Sequence, residues 1–144
     1  MTVLWFDGLL AQSAEAGVYF LPESDREELR EAAAVNRFPC LPVDLRDCAD
    51  KTALLQRLAE ALHFPDYFGH NWDALNDCLA GLQRPDTGGL VLLLEHSQTL
   101  RRDATENFKT AMEVLQSVSQ DWARRQAPFW TFIVLADAEF DALG

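Results

Sequence analysis

Cations are scarce in this 144-residue chain: 12 lysines and arginines stand against 23 aspartates and glutamates, a formal net charge of −11 and a pI near 4.5. A surface with that excess repels phosphate backbones and anionic lipid headgroups. It argues against nucleic acid and membrane as partners and favours a basic protein. Cysteine is scarce too. Cys40, Cys48 and Cys78 form no CxxC pair and have no zinc-ligand spacing with a histidine. The odd count, with an N-terminus that lacks the basic region of a signal peptide, points to a reducing cytosol. No apolar run approaches the roughly 20 residues of a membrane span. A soluble, cytoplasmic chain is therefore expected.

Catalytic motifs are absent as well. The chain has no GxSxG, no GxxxxGKS/T, no GxGxxG and no HExxH, which removes the familiar hydrolase, nucleotide-binding and zinc-protease signatures. His63, His70 and His96 are scattered and form no constellation with a cysteine or serine. Asp44, Asp47 and Asp50 recur every third residue, but without the glycine and distal glutamate of a calcium loop they read as strand-end and cap residues. No metal, no cofactor and no enzymatic activity are expected.

What the chain does have is apolar material in two periodicities. With 49% hydrophobic residues it can bury a real core as a single domain spanning 1–144. Residues 89–95 and 129–136 are continuous apolar runs of the kind found in strands covered on both faces, and 38–45 reads as a strand pushed to an edge by Pro39 and Pro42. Short β-prone runs at 3–6 and 17–21 precede a helix from Ser24 to about 36, with Ser24 and Glu27 as a capping box. Asp50 caps a helix over 51–62, and a long helix covers 104–124. Strands alternating with helices imply an α/β fold with a small, mostly parallel sheet packed with helices.

The stretch 64–81 carries the strongest signal. An aromatic loop leads to Asn71, a helix cap, and then to a helix over 72–82 with two unlike faces. Leu75, Cys78, Leu79 and Leu82 fall on one side at helical spacing, and Asp73, Asn76, Asp77 and Ala80 on the other. Cys78 on the apolar side reads as an inert packed thiol. Both aspartates are placed early in the helix, where its dipole favours charged carboxylates; that suits binding better than proton transfer.

In Pro65, Tyr67, Gly69, Asn71, Asp73, Ala74, Leu75, Asp77, Cys78, Leu79 and Gly81 the chain resembles the barstar family of intracellular ribonuclease inhibitors. The resemblance runs back to the strand around Val43 and forward to 131–135. It leaves residues 1–37 as an N-terminal extension. It implies a barstar-like fold and a protein that blocks the active site of a basic ribonuclease or nuclease toxin. On it, Asp77 is the central anchor among the enzyme's phosphate-binding groups, Asp73 the second acidic contact, Tyr67 an aromatic contact, and Asn71 both cap and rim. Asn76 on the same face and Gly81 at its end complete the partner-binding set. The chain departs from the family pattern at His70, Asn76, Leu82 and the added Trp72. The acid that the family carries on the long helix falls near Gln120 or Asp121. The alternative is a non-inhibitory interaction or regulatory module on another basic protein surface. A monomer is the default expectation for the free protein.

Overall fold

Two apolar strands at the centre of the sheet govern the architecture. In the computed structural model, which describes residues 8–64, 71–82 and 88–143, β1 (Val18–Pro22), β2 (Cys40–Asp44), β3 (Leu90–Glu95) and β4 (Phe129–Leu135) form one sheet in the order β1-β4-β3-β2. Every pairing is parallel. Along β3, Leu90, Leu92 and Leu94 enter one core while Val91 and Leu93 enter another; along β4, Phe129, Ile133 and Leu135 alternate with Trp130 and Phe132 in the same way. Two-residue periodicity with apolar groups on both faces is what makes these runs continuous.

The helices then divide between the faces. Lys51–Leu62 (α2), Trp72–Ala80 (α3) and Thr105–Arg124 (α5) cover one face, and Arg26–Val35 (α1) covers the other. The path of the chain explains the split. It crosses from β1 to the far edge at β2, then steps back through β3 to β4. Crossovers of one hand, travelling in opposite directions, put their helices on opposite faces. Residues 18–35, ahead of the span covered by the resemblance, thus supply an edge strand and the second layer.

The parallel sheet and its α/β class agree with the sequence reading, and β2 lies at an edge as its prolines imply. The Asp50 side chain accepts from the Ala53 N–H at 2.8 Å and starts α2. Other details differ. Ser24 does not cap α1. The helix is entered through a 3₁₀ turn, Glu23–Asp25, with no side-chain cap, and the Ser24 N–H donates to Asp137 Oδ1. Among the described residues, short helical segments escape the sequence reading, including Gln98–Asp103 (α4) and Asp137–Asp141 (α6). The first buries one residue, Leu100, and the second none, so neither has an apolar period to detect. The strand expected at 3–6 and most of the turn at 83–88 lie outside the described residues. Just before β3, Gly89 is needed for a close approach: a Cβ there would meet the Phe38 ring at 2.7 Å. Among the described residues no helix is long and apolar enough to cross a membrane.

Candidate binding face on helix α3

Helix α3 is fixed at both ends. At its start the Asn71 side chain accepts from the Ala74 N–H at 2.8 Å, filling one of the donors a helix N-terminus leaves open. At its end two carbonyls are taken by α5 and the residue that caps it. The Trp122 indole N–H donates to the Leu79 carbonyl at 3.2 Å, and the Arg125 guanidinium donates to the Ala80 carbonyl at 3.0 Å. Arg125 also stacks over the Trp122 ring, 5.8 Å from its centroid. Leu75 and Leu79 are fully buried beneath.

That anchoring leaves the other face outward. Asp73 and Asp77, one turn apart, are both exposed, with Asn76 half-buried between them and Asn71 and Gly81 exposed at the two ends. Among the described residues no lysine, arginine or histidine lies within ion-pair distance of either aspartate; the ion pairs present are elsewhere. Two cations contact residues at the ends of the helix. Lys51 Nζ stands 5.3 Å from the Trp72 ring centroid at the N-terminal end, and Arg125 closes the C-terminal end. On α5, Asp121 pairs with Arg124 at 3.6 Å and Arg125 at 3.3 Å. It is therefore tied to the end of α3, whereas Gln120 is exposed and lines a cleft beside β1.

One expectation needs correcting. Asp73 lies in the first turn, but Asp77 is only three residues from Ala80, the last residue of the helix. Dipole stabilisation from the N-terminus reaches only the first turn and so applies to Asp73 alone. The helix also ends at Ala80 rather than 82. Gly81 continues in right-handed geometry and its N–H donates to the Asp77 carbonyl at 2.9 Å. Tyr67, the aromatic contact, lies outside the described residues with the rest of 65–70.

The thiols are disfavoured as nucleophiles. Burial, and then the adjacent Asp77 carboxylate, push Cys78 above its ordinary value, and burial pushes Cys40 up to about 11. A thiol held protonated at neutral pH attacks poorly. Among the described residues no group of three or more histidines, cysteines or carboxylates is arranged to hold a metal ion. Sequence reasoning missed Arg125 and the indole hydrogen bond of Trp122. The apolar period of α5 marks Trp122 as buried, but nothing local reveals what its N–H meets.

The family model described as Barstar (barnase inhibitor) matches residues 38–134. The chain belongs to the barstar family. A relative from Bacillus subtilis (strain 168), named "Putative ribonuclease inhibitor YrdF", is 32% identical over 80 residues, 55% of this chain and 84% of that protein. The family match takes in β2, α2, α3, β3, α4, α5 and all but the last residue of β4. It leaves out β1, α1 and α6. The acidic face of α3 therefore lies wholly inside the barstar-like span.

Proposed function

We propose that this barstar-family chain is an inhibitor that binds and blocks the active site of a basic ribonuclease or nuclease toxin through the outward face of α3. The observation that carries the reading is the pair Asp73 and Asp77, exposed one turn apart, without a cation of their own among the described residues, on a helix fixed at both ends. A ribonuclease active site gathers lysine, arginine and histidine around a phosphodiester. Carboxylates held on a rigid support fit where the phosphates would lie, and charge-assisted hydrogen bonds supply the strength. In this reading Asp77 is the anchor and Asp73 the second contact. Asn71, Asn76 and Gly81 frame them, and Tyr67 is the aromatic that packs on the enzyme. Asp121, tied to the end of α3 through Arg125, joins the rim in preference to Gln120. The protein works as a cytoplasmic monomer, without metal or cofactor and without catalysis of its own.

Inhibition of a barnase-type ribonuclease, titrated at low and physiological salt, tests this. Stoichiometric inhibition that weakens with salt and is lost in Asp77→Ala is expected, because steered association is screened over about 8 Å at physiological ionic strength. Full inhibition by Asp77→Ala would refute the site. A second reading, a non-inhibitory module on another basic surface, draws on Lys51 over Trp72. That cation at the margin of the face would oppose a strongly basic rim. Absence of inhibition by the wild-type chain, with binding to other basic proteins intact, would favour it.

A further inference from the structure

The two edges of the sheet are unlike. At β2, Pro42 stands exposed in the middle of the strand. A proline offers no N–H, so that edge is closed to a further strand. At β1 the only proline is the last residue, Pro22, and the strand carries no charge. The Gly17 carbonyl accepts from the Thr131 N–H of β4, while the Val18 N–H turns away from β4 and donates to the Gln116 side chain at 3.0 Å. Strand alternation then turns the Phe20 N–H and carbonyl outward too. Tyr19 and Phe20 are 44% and 41% exposed. Tyr19 leans on Trp130 and Phe132, with ring centroids 5.7 and 6.1 Å away. On the opposite face of the strand Phe20 borders Met112 and Ile133.

A cleft follows β1 on each face, of about 360 Å³ on the Trp130 side and about 470 Å³ on the Met112 side. Among the described residues, the charged groups lining the first are Glu15 and Asp25, the second has Glu113, and no lysine or arginine lines either.

We propose that the β1 edge docks an extended segment of a second protein, one whose alternating apolar side chains are flanked by lysine or arginine. Main-chain pairing at Phe20 supplies the register, alternate side chains enter the two clefts, and the flanking cations meet Glu15, Asp25 and Glu113. A second copy of this chain fits worse. A symmetric contact would set the same carboxylates against each other in a molecule of net charge −11.

The full chain, labelled with ¹⁵N, is titrated with a synthetic peptide of alternating valine and threonine ending in two lysines on each side. Saturable shifts centred on Phe20 and Gln116 are expected. They should weaken about tenfold when glutamates replace the lysines, and vanish when the peptide's central amides are N-methylated or the protein carries Phe20→Glu. They should persist in a chain carrying Asp73→Ala and Asp77→Ala together. No shift at Phe20 up to millimolar peptide overturns the proposal. So do shifts confined to α3, or concentration-dependent dimerisation of the chain alone that moves the Phe20 amide.

Discussion

Helices α1 and α3 are both acidic, and they use their acids differently. On α1, Glu27, Glu28 and Glu31 share the helix with Arg26 and Arg30. Arg30 reaches Glu27 at 3.8 Å, and Arg26 pairs with Glu95 of β3, whose hydrogen bond and charge raise the guanidinium above its ordinary value. On α3, Asp73 and Asp77 stand at i and i+4 with no basic residue in the helix. Like charges at that spacing destabilise a helix by about 0.2–0.5 kcal/mol. A folded domain tolerates that cost where the charges serve binding. Glu28 and Glu31 of α1 also form no ion pair among the described residues, so an unpaired acid alone does not mark a site. Under the proposed function the mark is two such acids one turn apart on a helix fixed at both ends.

The buried sides of the two helices should behave alike. Leu29 on α1 and Leu79 on α3 are both fully buried. Replacing either by alanine should cost about 2–5 kcal/mol in denaturant unfolding, the usual result of emptying a packed site. A markedly smaller loss at Leu79 would mean that α3 is not held by the core.

The exposed sides should part company. Asp77→Ala should weaken inhibition by roughly 2 kcal/mol or more, a factor of at least about 30, while stability moves within about 0.5 kcal/mol. Glu31→Ala on α1, also an exposed position, should leave both unchanged. If the two substitutions weaken inhibition equally, overall charge is responsible and the face of α3 has no special role.

The sequence made β3, β4 and the starts of α2 and α3 legible because their signals are local. Continuous apolar runs mark the strands, and Asp50 and Asn71 each bond three residues ahead. It misplaced the start of α1, where Ser24 resembles a cap but spends its N–H on Asp137, 113 positions away. The outward pair Asp73 and Asp77 followed from helical spacing. The anchors beneath did not: Trp122 and Arg125 meet carbonyls 43 and 45 positions back. Contacts at that separation leave no periodic trace. Nor does composition reveal that the second face of the sheet is covered by residues preceding the family span.

Caps offer a smaller contrast. Asn71 closes the start of α3 with its side chain, whereas Asp25 makes no side-chain cap on α1. Asn71→Ala should therefore lower stability by about 1 kcal/mol, and Asp25→Ala by clearly less. Thermal unfolding of the two variants side by side measures the difference; equal losses would remove the special support claimed for α3.

The smallest effect expected comes from a compensated acid outside both helices. Arg101 holds Glu139 below the ordinary glutamate range, chiefly through its hydrogen bond; burial opposes this, and the charge of Arg101 adds a smaller lowering effect. A lowered carboxylate value means that folding favours the ionised form. The stabilisation is present at neutral pH and is lost as pH falls from the ordinary glutamate value, about 4.3, through the lower folded one. The Glu139 side chain is 40% exposed, so solvent screening keeps the contribution to no more than about 1 kcal/mol. Glu139→Gln should flatten that part of the acid limb in urea unfolding and leave inhibition at neutral pH untouched. An acid limb unchanged by the substitution would show that the pair adds nothing to folding. Loss of inhibition would place the C-terminal end of the sheet, and not α3 alone, in contact with the ribonuclease.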